Sequence, residues 1–353
     1  MKHQVKKIAR RTIALFFYWT GLRVFFRGQR VGAPILMFHN VGHLPATDYL
    51  PDHMKISEKK LKRIIRRLTR SGYRTVTVTD LTESLSKGEL QRDAVALTFD
   101  DGYRDNHEVL LPLLQETDAT ATVFVQTGPM RGNLNWLHHY FWVLDRVGPH
   151  RLGELVGERL DRAHLKEDVL HLASDAVAAE YELKRVLKYD VLPAERDALL
   201  ASVFSEMGGD DATLAAEVYL SPDECRALDR SGVEVGAHTV NHLILSSLDI
   251  EEQRREIEGS LRDLESWLGH GVPAFAYPYG REWDYDDKTL KVLGELGFQS
   301  ALTAMSGLNT PQTPPLELKR FAVNQESSLA ELFCELDGVF CWLEEKGLHL
   351  RLG

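Results

Sequence analysis

The chain has 353 residues, 44% hydrophobic and 27% charged, ordinary values for a soluble globular protein of one large or two small domains. Its formal net charge of -10 argues against nucleic-acid binding, because no basic excess is available to neutralise phosphates. Three cysteines (Cys225, Cys334, Cys341) imply no disulfide framework, show no zinc-ribbon spacing and read as buried small hydrophobes, with a slight lean towards a reducing compartment.

The N-terminus departs from this average. Lys2, Lys6, Lys7, Arg10 and Arg11 precede an apolar stretch from Thr12 to Leu22, and Arg23, Arg27 and Arg30 follow. The stretch is about half the ~20 residues that cross a bilayer as a helix. No small-x-small cleavage site follows it, which disfavours a secreted leader. Residues 1–30 therefore read as a basic, aromatic helix, either lying on an anionic membrane face or packed on the protein's own surface.

From Ala33 onward, strand and helix signals alternate. Pro34–Phe38 reads as a strand followed by His39. Glu58–Ser71 has helical spacing and ends near Gly72, and Arg74–Val78 reads as a strand with Thr79–Asp80 capping the next helix. Ala94–Phe99 is a buried strand that runs into Asp100-Asp101-Gly102. Two adjacent carboxylates repel, so the pair predicts a metal ion or a catalytic acid/base pair sharing a proton. Asn106–Glu116 reads as helix and Ala121–Val125 as strand. Leu155–Phe204 has helical spacing without a strand, and marks a helical insertion at about 130–220. Trp136, His138, His139, Tyr140 and Trp142 open it, more as the small core that docks the insertion than as a sugar-stacking platform.

Gly232–Ala237 reads as another strand and leads into His238-Thr239-Val240-Asn241-His242. Two histidines four apart share a face if the chain turns helical there. One carboxylate and two imidazoles make a three-ligand site with an open position, the ligand count of catalytic zinc. A charged helix over Asp249–Leu268, a strand at Pro273–Tyr277, a helix around Asp286–Leu296, a strand to Leu302 and a short strand at Phe321–Val323 complete the pattern. The expected fold is α/β: a distorted (β/α) barrel of about seven parallel strands with a helical insertion, formed by residues 31–353. Polar groups just after three strands favour a barrel over an open sheet, because barrel strands converge on one catalytic face. His43, His53, His107 and His270 have no supporting context and read as surface residues.

Thr98-Phe99-Asp100-Asp101-Gly102, His238-Thr239-Val240-Asn241-His242 and Tyr277-Pro278-Tyr279-Gly280, in that order, resemble the polysaccharide deacetylases, the NodB-homology enzymes of carbohydrate esterase family 4. The likeness covers about residues 33–330 apart from the insertion. The opening Leu36–Gly42 is similar to the subgroup active on exopolysaccharides. The resemblance implies a metal-dependent hydrolase that removes acetyl groups from an N-acetylated sugar or polysaccharide. It implies Asp100 as catalytic base, and Asp101, His238 and His242 as ligands of a divalent ion, zinc first, with cobalt or nickel possible. It also implies that Tyr279 lends its backbone N–H to the oxyanion. Two departures follow. Ala276 stands where many members carry the arginine that holds the base, and Arg320 is the nearest replacement. No late Leu-x-His motif supplies the acid, so the subgroup pattern points to His39. Taken as residues alone, His39 can equally donate to a backbone carbonyl, and Arg320 can be an ordinary ion-pair partner.

The expected partner is an acetylated glycan, with peripheral membrane contact through residues 1–30. The expected location is cytoplasmic or peripheral on the inner membrane face, with the periplasm left open. An amidase acting on a small or cyclic amide and a non-catalytic carbohydrate-binding scaffold are the competing functions.

Overall fold

The computed structural model describes residues 2–28, 30, 32–89, 91–160, 176–348 and 350. Ten strands occur among them: β1 Ile35–Phe38, β2 Asn40–Val41, β3 Lys55–Ile56, β4 Arg74–Val76, β5 Ala94–Phe99, β6 Thr122–Val125, β7 Glu234–Ala237, β8 Ala274–Ala276, β9 Ser300–Leu302 and β10 Phe321–Ala322. Seven of these form one parallel path in the order β10-β1-β5-β6-β7-β8-β9. β4 pairs with the first half of β5 on the edge whose second half β6 takes. The segment Leu318–Ala322 reaches both ends of the path. Leu318 bridges Leu302 of β9, and Phe321–Ala322 pair with Leu36–Met37 of β1. The sheet is therefore curled into a distorted barrel. β5 is buried along all six residues, as a strand covered on both sides must be.

The helices between strands start on side-chain caps. Ser57 caps Glu58–Arg70, Asp249 caps Ile250–Leu268 and Asp286 caps Asp287–Glu295. One boundary differs from the sequence reading. β4 ends at Val76, and the Thr77 hydroxyl caps the helix Val78–Ser86 by accepting from Asp80 N–H at 3.1 Å. A β-branched threonine scores as strand, yet its hydroxyl competes for backbone donors and stops the strand. The first turn after β5 also departs from a plain helix: Asn106–Leu110 form one π-helical turn ahead of the helix Leu111–Thr117.

The insertion contains the helices Trp136–Arg159 (broken at Gly148, φ 75°), Ala176–Tyr189, Pro193–Glu206 and Asp211–Val218. Residues 161–175 of the expected insertion lie outside the described residues. Its own core gathers Tyr140, Phe141, Leu152, Leu187, Leu200 and Phe204. Trp136, His138 and His139 are buried within it.

The helix Lys2–Thr20 packs on the helix Leu329–Leu336, the last but one of the described helices, with Ala14 fully buried and Tyr18 against Phe333. The helix thus packs on the protein's own surface, one of the two alternatives expected for this segment. Arg10 pairs with Glu331 and Glu335, Arg23 and Arg27 both pair with Asp337, and Arg30 donates to Leu336 O. Acids at the far end of the chain claim Arg10, Arg23 and Arg27, and a sequence window of 30 residues cannot show them. No described helix is long and apolar enough to cross a membrane.

Candidate active site at the barrel rim

The site forms where β1, β5, β7 and β8 end. β5 stops at Phe99, and Asp100 N–H still donates to Phe38 O at 2.9 Å. Asp101 then takes a left-handed φ of 75° and Gly102 one of 72°. A continued strand would send the two carboxylates to opposite faces, and this turn brings both to the rim. Gly102 is required twice over, since a Cβ there would also meet the Val125 Cα at 3.2 Å.

Backbone strain concentrates here. Of the five described non-glycine residues with positive φ, four are Asp101, Thr239, His242 and Tyr279. Each costs about 1–3 kcal/mol, so the surroundings must hold them. Around His238–His242 they do. Thr239 Oγ1 accepts from His242 N–H at 3.0 Å, Thr239 O from Thr127 N–H at 3.2 Å and Val240 O from Gly128 N–H at 2.8 Å. The Glu256 carboxylate grips Asn241 through its N–H at 2.7 Å and its side-chain amide at 2.6 Å. The sequence expectation of a helical turn is therefore replaced. His238 and His242 meet through a loop with two left-handed residues, not through i, i+4 spacing on a helix.

His238 Nε2 lies 3.5 Å and His242 Nε2 3.4 Å from Asp101 Oδ1, and all three ligand atoms lie within 4.8 Å of one another. His238 Nδ1 bonds Ala276 O at 2.7 Å, which fixes the ring and turns Nε2 to the site. Burial lowers the His242 pKa to about 3, outweighing Asp101, so this imidazole is neutral and able to bind a metal. Burial opposes ionisation of Asp101, but the His238 hydrogen bond and the two imidazoles outweigh it and hold the carboxyl well below the usual range. His238 is raised: burial pulls it down, and Asp101 and Asp100 overcome that.

Asp100 sits beside this group in a second environment. Burial again works against its charge. Arg320 reverses the balance by donating to Asp100 Oδ1 from Nη1 at 2.7 Å, and the carboxyl is held low. Arg320 is 1% exposed and is itself positioned by Thr303 O at 2.7 Å and Thr98 Oγ1 at 3.3 Å. Removing one partner of a buried pair strands the other, so Arg320→Met is expected to cost about 3–5 kcal/mol at neutral pH. A lowered carboxyl pKa contributes stability above its unfolded value, about 3.9, and loses it as pH falls through the folded value. Denaturant melts at about pH 7 and at about pH 2, well below the unfolded value, should show the deficit shrinking in acid. An equal deficit at both would mean lost packing rather than lost charge pairing.

His39, half-buried after β1, faces the same cavity of about 440 Å³ as Asp100, Asp101, His238 and His242, and its charge bears on both carboxylates. Tyr279 lies against His242 with ring centroids 4.8 Å apart, and its hydroxyl accepts from Trp136 Nε1 at 2.9 Å. Among the described residues its backbone N–H meets no acceptor. Sequence reasoning missed several neighbours. Tyr103 is buried beside Asp101, whose charge bears on it, and stacks on Tyr219 with ring centroids 5.6 Å apart. His53 is exposed, as expected, and also lines the cavity. Lys184 and Lys188 reach it from the insertion. Tyr103 is signalled only by its place two residues after Asp101, and nothing in the sequence lays the lysine helix over the rim.

The sequence profile of the polysaccharide deacetylase family matches residues 87–159 and 186–301, more than half of the chain, and the chain belongs to that family. YxkH of Bacillus subtilis (strain 168), named as a candidate polysaccharide deacetylase, is 18% identical over 275 residues. That match covers 78% of this chain and 65% of the relative's length, just under two thirds. The Streptococcus pyogenes deacetylase PplD, solved with acetate, superposes with a TM-score of 0.58 at 20% identity, covering 87% of this chain and 98% of its own. A de-N-acetylase from Aggregatibacter actinomycetemcomitans gives 0.54 at 16%, covering 85% and 98%. At these identities the two structures speak for the fold alone.

Proposed function

We propose that the protein hydrolyses the acetamide of an N-acetylated glycan, with Asp101, His238 and His242 holding a divalent ion, zinc first, cobalt or nickel otherwise. The observation that carries this reading is the proximity of two buried carboxylates in different settings: Asp101 among imidazoles and Asp100 on Arg320. The donor set fits a metal. Ligands at about 2.0–2.1 Å from a tetrahedral ion lie about 3.3 Å apart, close to the two Asp101–imidazole separations. The mixed nitrogen and oxygen donors suit zinc, cobalt and nickel.

The chemistry supplied there would be Lewis acidity, which polarises the acetyl carbonyl and favours attack by water at neutral pH. Asp100, ionised on Arg320, accepts the proton of the attacking water. The Tyr279 N–H meets the developing oxyanion. His39 gives a proton to the amide nitrogen as the C–N bond breaks, so acetate and a free amine leave. His39→Ala is expected to lower turnover by about 10²- to 10⁴-fold with zinc content unchanged. Near-normal turnover would move the acid role to another group.

The direct test is acetate release from N-acetylated oligosaccharides of several lengths by zinc-loaded protein. Release that stops on chelation supports the reading. Loaded protein that releases none supports the binding-scaffold alternative, and release from small amides alone supports the amidase.

We further propose that the N-terminal region, residues 1–30, rests on an anionic bilayer face, which places the enzyme at the inner membrane. Trp19 is 79% and Phe25 74% exposed, and Leu15, Phe16, Leu22 and Val24 are exposed with them. Lys59, Lys60 and Arg63 line a groove with Leu15 and Trp19, and Lys6 and Arg11 are exposed nearby on the same helix. Apolar side chains ringed by cations suit acidic headgroups. Protein should pellet with vesicles containing phosphatidylglycerol, less so with neutral vesicles. Trp19→Ala/Phe25→Ala should weaken binding by about a hundredfold or more, given ~1.5–3 kcal/mol for each of the two buried rings. No pelleting of the wild type would remove this contact and leave the chemistry untouched.

A further inference from the structure

We infer that the mouth of the catalytic cavity holds an anion subsite, formed by Lys184 and Arg281, that selects a glycan bearing a phosphate or carboxylate near the acetylated sugar. This rests on the deacetylase reading and names the substrate class for it. The helix Ala176–Tyr189 lies over the rim and points Tyr181, Lys184, Lys188 and Tyr189 into the cavity, a spacing that puts them on one face. Arg281 enters from the loop after β8 and His53 from the segment before β3.

Among the described residues, the charges there are only partly balanced by acids. Lys188 has an acid, Asp284 Oδ1 at 3.6 Å, and stands 3.7 Å over the Tyr279 ring. Arg185 is occupied by Glu182 at 2.8 Å and Asp190 at 2.9 Å. Among the described residues, Lys184 and Arg281 have no carboxylate within ion-pair distance. Lys184 lies 5.3 Å over the Phe141 ring, and the Arg281 guanidinium lies 5.4 Å from the Trp283 ring. Burial, and then the Arg281 charge, lower Lys184 against a counter-pull from Glu180. The Lys184 charge also reaches His53, which is exposed at the mouth. Asp100 and Asp101 crowd at the rim because a cation belongs there. By the same electrostatic logic, crowded cations at the mouth belong with an anion. Their setting in a chain of net charge -10 sharpens the contrast, since acids outnumber bases 52 to 42.

The surroundings suit a sugar chain carrying that anion. Tyr181 is 64% and Trp283 53% exposed at the mouth, and Trp283 Nε1 donates to Tyr189 Oη at 3.2 Å. These faces can stack on pyranose rings. His242, Tyr279 and Lys188 are layered in that order, and Lys184 lies one helical turn from Lys188, about 6 Å along the axis. The anion therefore sits beyond the reacting acetamide, on a neighbouring unit.

Acetate release would be compared for three N-acetylated oligosaccharides of equal length: neutral, phosphorylated and uronate-containing. Wild-type zinc enzyme should show kcat/KM at least about tenfold higher on one or both anionic substrates, mostly through KM, and the preference should fall with added salt. Lys184→Ala/Arg281→Ala should bring anionic and neutral substrates to similar kcat/KM, while Lys184→Arg should keep most of the preference. Acetate release without an anionic preference, or a preference that survives the double variant, would overturn the subsite and leave the deacetylase reading standing. No release from any of the three would overturn the deacetylase reading itself. The phosphate and uronate arms separate the two sources of charge.

Discussion

Asp100→Asn is expected to reduce acetate release by about 10²- to 10⁴-fold, the usual worth of a positioned general base. Zinc content should stay near that of the wild type, because Asp101 and the two imidazoles are untouched. The substitution keeps the side-chain volume and removes only the charge that accepts the proton. It also leaves Arg320 buried without its anion, and the variant should be less stable by a few kcal/mol, so activity must be read below its unfolding temperature. Metal analysis on the same sample separates lost chemistry from lost fold. Wild-type turnover would refute Asp100 as the base.

His238→Ala is expected to lose both metal and activity. The ring is the best-fixed of the three donors, held from behind by Ala276 O and facing Asp101 with Nε2. Two remaining donors make a weak site for any divalent ion. The clearest readout is thermal. A ligand that binds only the folded state stabilises it by RT ln(1 + [L]/Kd), about 2.7 kcal/mol at a hundredfold excess over Kd. Wild-type protein should melt higher as zinc is added, and the variant should not. Full zinc occupancy in the variant would reassign this ligand.

Much of this site was legible because its signals are local. A six-residue buried strand followed by Asp100-Asp101-Gly102 carries its own electrostatic demand, and His238 and His242 carry theirs. What the sequence did not show is how they meet. Helical spacing suggested one answer, and the structure uses left-handed residues at Thr239 and His242 held by Glu256, Thr127 and Gly128. Partners distant in sequence were hard to see. Arg320 and Asp100 are 220 residues apart, and only the family resemblance drew attention to Arg320. The lysines of the insertion and His53 reach the cavity through tertiary placement that periodicity does not encode. At the N-terminus a short window saw a string of cations, whereas Glu331, Glu335 and Asp337 had already claimed Arg10, Arg23 and Arg27.

The central claim is that two segments far apart in sequence hold one ion at the barrel rim. Crystals grown with zinc and measured on both sides of its absorption edge test this directly. The account predicts a single strong anomalous peak bonded to an Asp101 carboxylate oxygen and to Nε2 of His238 and His242, next to the Arg320-bound Asp100. An anomalous map with no peak touching those three groups, from protein that releases acetate once redissolved, would contradict it.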